Sequence, residues 1–479
     1  MPGLFGAMNV ASRSLAVTSQ GIQNASHNIS NVETPGYSRQ RQILGTASPS
    51  RHPAGHLGNG VEQISIRRIT DNFVHEQLVR QGSQFGAADT QAQALAVVEE
   101  IFNGVESESL TSSLGRFYDA FSDLASSPTP GAAIERAGAS SAAQSLVDTI
   151  HSMDATLRAE QRSADDAIES TLAEINRIAA EIDQRNDEIV RLEIQAPAND
   201  ARDARDLLVR ELSELVDLQT FEASDGRLHV ALSNGLPLVE GTPRSLLAVQ
   251  DVSNPFDPTF VQVHYSSGGG SLDVTSLIGG GRLGGILRSR DDLLAGAIRT
   301  LDTLAYNLTT SVNTLHTTGM GLNGEVGNFF AAPAAVEDAA STLALDAAIL
   351  ASSDAIAAGF TSAPSDNQLA LEIANLRTSP TAFFLPGDPP GPATGPSRTL
   401  LEHVAVVVTD AGEQARMFDM ARKQQGSIIQ NLENRRDSVS GVSLDEEMTQ
   451  LIELQAAYQA NSRLISLVDE LLDDVMRIL

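Results

Sequence analysis

The chain has 479 residues, with 61 acidic against 32 basic, a formal charge of −29 and one lysine, Lys423; the length calls for more than one hydrophobic core, and the charge repels nucleic acid and anionic membrane surfaces. It has no cysteine and no tryptophan, which excludes disulfide frameworks, thiolate nucleophiles and Cys-ligated metals and leaves alanine-rich helix packing as the main source of order. The opening residues lack the pattern of a cleavable secretory signal, and no segment reaches the ~18–20 apolar residues of a membrane span, so no membrane insertion is expected and composition alone suits a cytoplasmic protein.

Met8, Leu15, Ile22 and Ile29 recur every seven residues, with Ala11, Thr18, Ala25 and Val32 three places on. This spacing predicts a first helix bearing a coiled-coil seam. Thr34-Pro-Gly-Tyr37 ends it, because Pro35 disfavours helical geometry at Thr34 and Gly36 permits a turn. Residues 38–70 read as extended chain and loop, with Ile64 and Ile66 alternating with polar neighbours as in a strand. Helical periodicity returns over 71–195, broken near Ser126-Ser-Pro-Thr-Pro-Gly131. There Ile168, Ile175, Ile182 and Ile189 set a second seven-residue seam, and a long antiparallel helical hairpin is expected. Residues 200–218 form a charged amphipathic helix.

At Gln219 the period changes. Asp225-Gly226 and Asn234-Gly235 are hairpin turn signals around Leu228, Val230 and Leu232, predicting a β-rich insert as far as Gly285. Helix resumes over 286–316; 317–340 is irregular, 341–376 partly helical, and the Pro-rich stretch 378–396, with Phe383-Phe384 embedded, reads as a surface loop or linker. The last helical region, 400–479, breaks at Gly441. Leu444, Leu451, Tyr458, Ile465, Leu472 and Leu479 lie seven apart in it, with Leu454, Asn461, Val468 and Val475 as companions.

These elements predict an α+β fold, elongated and multidomain: paired terminal α-helices forming a coiled-coil base, a long helical-hairpin domain and a β-rich inserted outer domain. Residues 1–70 with 440–479 make a terminal assembly domain, and 71–217 with 286–316 and 400–439 a helical rod domain. Residues 218–285 make the β-rich insert, and 317–399 a mixed outer segment.

The patterns that could carry chemistry are weak. Gly279-x-Gly281-x-x-Gly284 has dinucleotide-fingerprint spacing, with Asp302 downstream, but lacks the βαβ context that gives it meaning, so these are read as turn glycines. His52 and His56 flank Pro53-Ala-Gly55 in a loop and cannot share a helical face. Asp165-Asp166 and Asp473-Asp474 read as solvated helix faces, and Asp445-Glu446-Glu447 as N-terminal dipole partners with Ser443 as N-cap. No catalytic, cofactor-binding or metal residue is therefore assigned, no cofactor is called for, and the chain is expected not to be an enzyme. A nucleotide-dependent enzyme using the Gly279 loop is the distant alternative.

Asn24-Ala-Ser-His-Asn-Ile-Ser-Asn-Val-Glu-Thr-Pro-Gly-Tyr-Ser-Arg-Gln-Arg41 resembles the N-terminal signature of the flagellar axial proteins of rod, hook and hook–filament junction, with Ser30 where a small alanine is usual. Ser440-Gly-Val-Ser-Leu-Asp-Glu-Glu-Met-Thr-Gln-Leu-Ile-Glu-Leu-Gln-Ala-Ala-Tyr-Gln-Ala-Asn-Ser-Arg463 resembles their C-terminal signature. Gly-Tyr-Ser-Arg-Gln-Arg, Gly-Val-Ser-Leu-Asp-Glu-Glu and the chain length are most similar to the hook-associated protein 1 family, whose members join hook to filament. Ala204–Leu215, Gly284–Asp291 and Asn313–Gly319 also look like that family, whereas 330–400 carries no such likeness.

The resemblance implies a structural subunit of the bacterial flagellum, extracellular at the hook–filament junction and exported by the flagellar type III pathway without a cleaved signal. It implies as partners other copies of the chain, hook protein, hook-associated protein 3 or an equivalent distal junction protein, a cap protein during assembly, and an export chaperone at the C-terminal helix. It also implies termini that are disordered before assembly. A hook or distal rod protein is the runner-up. Self-assembly is expected to rest on Met8, Leu15, Ile22, Ile29, Leu451, Leu454, Tyr458, Ile465, Val468 and Leu472, and the family turn on Asn28, Asn31, Thr34, Pro35, Gly36 and Tyr37.

Overall fold

A computed structural model describes residues 2–52, 55–104, 109–127, 131–240, 246–250, 259–267 and 269–478. Helix α1 (Pro2–Ser30) leads through a turn into two nested antiparallel hairpins: β1 (Gln40–Thr46) pairs with β4 (Val61–Arg68), and β2 (Ser50–His52) with β3 (Gly55–Leu57) at the tip. His52 and His56 thus lie on facing strands of a hairpin rather than in a loop. Asp71 caps α2 (Asn72–Asn103) by accepting from the Phe73 and Val74 N–H groups, and Gly104, at φ 65°, ends it. Helices α3 (Leu110–Ser126), α4 (Ala133–Leu192) and α5 (Asn199–Leu215) follow.

The insert holds two three-stranded antiparallel sheets. One has the order β5-β6-β7 (Leu218–Glu222, Leu228–Leu232, Pro237–Val239), the other β10-β9-β8 (Gly270–Asp273, Gln262–Ser267, Leu246–Gln250). Gly226 and Gly235, both at φ 87°, sit at the two turns that the Asp-Gly and Asn-Gly pairs announced. Helix α6 (Gly281–Arg288), a π-helical segment (Ser289–Leu294) and α7 (Ala295–His316) then run on without a break. Short helices α8 (Ala339–Thr342), α9 (Ala347–Ala351) and α10 (Gln368–Asn375) and the strand pair β11 (Thr381–Ala382) and β12 (Ser397–Arg398) precede the two final helices, α11 (Leu400–Ser440) and α12 (Leu444–Ile478). A capping box between Thr399 and Glu402 starts α11.

The 60 residues of α4 form one helix, ~90 Å long at 1.5 Å per residue, and it passes through both large cores. Its first half, Ala139 to Leu157, packs with α3, α7 and the segment after α7; its second half, Ile168 to Ile182, packs with α5, α6 and the insert. Ile168, Ile175, Ile182 and Ile189 are all fully buried. The expected antiparallel hairpin forms across the break between α3 and α4, with Ser113 beside Thr149 and Arg116 beside Ser145; α2 lies antiparallel against α11, with Gly412 beside Glu99 and Gly426 beside Phe85. Chain returning from the far side of the molecule, not the adjacent helix, covers the apolar face of α2.

Two readings of the sequence are corrected here. The Pro-rich stretch is a surface loop but not a free linker: most of it is exposed, yet Phe383 is 1% exposed and packs its ring on His403, while Phe384 packs on Tyr306. The segment 317–399 is irregular because polar side chains of α7, not a helical or strand period, organise it. Asn313 Oδ1 accepts from Phe329 and Phe330 N–H, Asn307 brackets Phe384, and Asp302 accepts from Ala340 N–H. His316 donates from Nδ1 to the Gly327 carbonyl and accepts at Nε2 from Ala357 N–H; burial holds its pKa below the usual histidine range, against the Gly327 bond, which raises it. Phe329 and Phe330 complete an aromatic cluster with Phe117 and Phe121. Asp165 is not on a solvated face: it accepts from buried Arg290 and from Val261 N–H, pinning the insert to α4.

Candidate assembly interface

Helices α1 and α12 pack as an antiparallel pair. A Cβ on Gly21 would lie 3.1 Å from the Leu454 methyl groups, and the Asn28 amide reaches Glu447 Oε2 at 3.1 Å, so numbering rises on one helix as it falls on the other. The buried residues of α1 are mostly small or polar, Ala11, Thr18, Gly21, Asn24, Ala25 and Asn28, with Val17 as the one larger apolar side chain. Small side chains let the two backbones approach. The large seam residues sit at the rim: Leu15, Ile22 and Ile29 are half-buried and Met8 is 36% exposed. On α12, Val468 is buried and Leu451, Leu454, Ile465 and Leu472 are half-buried on the inner side, whereas Tyr458 is 42% exposed. Leu479 and the side chain of Val475 lie outside the described residues.

The pair is not sealed by one subunit. Phe5 and Met8 of α1 and Met448, Ile452, Leu464, Leu467 and Leu471 of α12 expose their side chains. Apolar surface left in water on this scale marks a site of interaction.

The turn after α1 is built on Asn28, 1% exposed. Its amide donates to the Gln40 carbonyl (2.9 Å) and to Glu447 Oε2, and its oxygen accepts from Gln40 N–H (3.0 Å) and the Tyr37 hydroxyl (2.8 Å). All four hydrogen-bonding positions of the side chain are filled. The Asn31 amide donates to the His27 carbonyl, the Thr34 hydroxyl donates to Asn31 Oδ1, and Gly36 takes φ 79°. Pro35 and Thr34 face solvent.

Chain after the turn ties the pair to the rod. Arg39 lies 2.6 Å from Glu446 and, through Nε, 2.7 Å from Glu447 Oε1, the latter an ion-pair contact without hydrogen-bond alignment. Glu447 is fully buried. This overturns the reading of the acidic run as dipole partners alone: Glu446 and Glu447 hold Arg39 and Asn28. Ser38 N–H donates to Asp203, which with Asp206 also holds Arg68; Gln40 donates to Asp200, and Asn199 to the Ile66 carbonyl. Burial pushes the Tyr37 phenol well up, and Asp200, Asp203 and Glu447 add to it; burial likewise holds Asp203 above the usual carboxylate range despite Arg68.

Sequence reasoning assigned no role to Arg39, Gln40 or Asp203, and only a dipole role to Glu447. The signal available was their place beside the two signatures and on the charged helix, not their chemistry.

The glycine run shows packing rather than a phosphate cradle. Gly281 takes φ 70°, and a Cβ there would come within 2.3 Å of Val216 N, so the start of α6 presses against the end of α5. Strands of both neighbouring sheets pair antiparallel, without a βαβ unit. Among the described residues no group of three or more His, Asp or Glu is placed to hold a metal, and no helix is long and apolar enough to cross a membrane.

Comparison with known proteins gives a consistent picture. Residues 95–330 match the family described as the flagellar hook-associated protein FlgK helical domain, and 435–478 match the flagellar basal body rod FlgEFG protein C-terminal family. Flagellar hook-associated protein 1 of Bacillus subtilis (strain 168) is 26% identical, over 99% of this chain and 98% of its own length. The Escherichia coli (strain K12) protein of that name is also 26% identical, over 98% of this chain and 99% of its own. The solved structure of the flagellar hook junction protein FlgK from Burkholderia pseudomallei superposes with a TM-score of 0.64 at 16% identity, covering 76% of this chain and all of that one.

Proposed function

Since this chain belongs to the flagellar hook-associated protein 1 family, we propose that its α1–α12 pair is the element by which it joins hook to filament. It is a structural protein of the flagellum, not an enzyme. The observation that carries the reading is the antiparallel pair with apolar residues left on its outer sides; in this reading neighbouring copies cover them. Met8, Leu15, Ile22 and Ile29 with Leu451, Leu454, Tyr458, Ile465, Val468 and Leu472 serve both contacts. Asn28, Asn31, Thr34, Pro35, Gly36 and Tyr37 set the angle at which the pair leaves the rod.

In this reading the chain meets hook protein on one side and hook-associated protein 3, or an equivalent distal junction protein, on the other, and is inserted under a cap protein. An export chaperone covers the exposed apolar side of α12 beforehand. Export without a cleaved signal belongs to the same reading. The division into terminal base (1–70 with 440–479), rod (71–217, 286–316 and 400–439), insert (218–285) and outer segment (317–399) follows the same scheme, with the outer segment sharing the rod's first core.

Electron microscopy of cells lacking the gene, with an assay of the medium for flagellin, tests the reading. Bare hooks with flagellin lost to the medium are expected. Absence of hooks would move the chain to the hook or rod, and intact filaments would refute the junction role.

A further inference from the structure

The hairpin of β1 and β4, with β2 and β3 at its tip, stands apart from the rest of an acidic chain. Between Gln40 and Arg68 there are four arginines and one acid, Glu62. Arg68 is held by Asp203 and Asp206, but Arg41, Arg51 and Arg67 are exposed and, among the described residues, have no ion-pair partner. Arg41 and Arg67 face each other in the strand register. Like charges placed directly opposite repel, and a negative partner relieves them. Beside them Ile43 and Leu44 are exposed, and the register passes from Ile43–Ser65 to Leu44–Gln63, leaving Ile64 in a bulge with 64% of its surface in water. Elsewhere the hairpin is anchored on α1: the Gln42 amide donates to the Val17 carbonyl, and Gly60 lies against Val10.

The far half of α12 carries the reciprocal surface. Leu464, Leu467, Leu471 and Asp474 fall three or four residues apart on one helical face, with Glu470 one turn before Asp474, and all are exposed. Acidic residues dominate there. In Asp469-Glu-Leu-Leu-Asp-Asp474, Asp469, Glu470 and Asp473 have no ion-pair partner among the described residues, and Asp474 reaches Arg477 only at 3.9 Å. The spans agree as well: Ile64 to Arg67 covers about 10 Å along a strand, and Leu467 to Asp474 about 10 Å along a helix.

We propose that the hairpin of one copy docks on this face of α12 in a neighbouring copy, with Ile43, Leu44 and Ile64 on the leucine stripe and Arg41 and Arg67 on Glu470 and Asp474. The inference deepens the reading that neighbouring copies cover the outer sides of the α1–α12 pair, and rests on it. A second copy is the occupant because the two surfaces are opposite in charge and both apolar, and because both stay exposed within one subunit, where they do not cover each other. Symmetry calls for such a pair. A patch that met its own copy would close as a two-fold dimer, whereas two unlike surfaces on each copy join head to tail into a ring or a helical array.

The test has two arms, both read on flagella detached from cells. In the first, quantitative immunoblotting counts copies of the chain per flagellum. Arg41→Glu with Arg67→Glu should lower the count about tenfold, as should Glu470→Arg with Asp474→Arg, because each reversal turns attraction into repulsion. All four changes together should restore the count to within about twofold of wild type. No loss in either pair, or no restoration, overturns the assignment, and circular dichroism checks that each variant is folded. The second arm leaves the charges intact: a photo-crosslinking residue replaces Thr46, exposed at the end of β1, and mass spectrometry maps the products. A crosslink to α12 of a second copy supports the docking. Crosslinks only to another segment or to another axial protein, or none at all, overturn it. Failure of the junction reading would appear separately, as intact filaments in the deletion strain.

Discussion

Asn28→Ala should loosen the junction without unfolding the rod. Removing the side chain leaves Gln40 N–H without its acceptor and Glu447 Oε2 without its donor, both at a nearly dry site. The Gln40 carbonyl keeps the Asn24 amide as a donor at 2.8 Å, and the Tyr37 hydroxyl remains beside His27 at 3.0 Å, so these two groups add little. At ~1–3 kcal/mol for each stranded group, the loss is ~2–6 kcal/mol per subunit, and the middle of that range is about a thousandfold in the equilibrium that holds the pair to the turn. The assay is stepwise heating of detached hook–filament complexes, scoring by electron microscopy the temperature at which filaments part from hooks. Asn28→Ala should lower it clearly. Asn31→Ala, whose side chain bonds only the His27 carbonyl and the Thr34 hydroxyl near the surface, should cost less than ~1 kcal/mol and shift it little. Equal release temperatures for wild type and Asn28→Ala, or equal shifts for both variants, would refute the argument.

Ile465→Asp places a carboxylate on the inner side of α12 and should abolish incorporation into flagella while the isolated chain keeps its helical circular-dichroism spectrum; normal filaments would count against the inner-face assignment. Burial pushes the Asp302 carboxyl up to about 6, so between about pH 4 and 6 the folded chain binds more protons than the unfolded one. Stability then falls as pH rises, by roughly 3 kcal/mol in all. Asp302→Asn should flatten that part of a Tm-against-pH curve, and an identical slope in wild type and variant would exclude the mechanism. Gly281→Ala strains a left-handed residue and drives a Cβ into the Val216 backbone. A loss of at least ~2 kcal/mol, read as a lowered Tm, is expected, and an unchanged Tm would show that α6 can shift away from α5.

Helices with a strict period were legible before any coordinates, among them α1, the second half of α4 and α12. So were the two glycine turns of the insert, because their chemistry is local. The first seam was legible as a pattern, but its geometry was not: a heptad rule favours the large residues, whereas Gly21 lets the backbones close and puts Ala11, Thr18 and Ala25 inside. Segment 317–399 gave no period because its order comes from Asn307, Asn313 and His316 reaching out of α7, contacts between residues distant in sequence. Glu447 and Asp165 looked like ordinary surface acids for the same reason. Each acquires its partner, Arg39 or Arg290, only through the tertiary fold.

The bond from Asn28 to Glu447 joins residues 419 positions apart. Translation delivers a polypeptide from its amino end, so α1 is available long before any surface exists for its small-residue stripe to meet. Closing so long a loop costs entropy that only the finished chain can recover. The base is therefore completed by the last segment made, and a chain arrested midway leaves α1 without the partner its stripe fits. The wide separation in sequence makes an ordered base a mark of a finished chain.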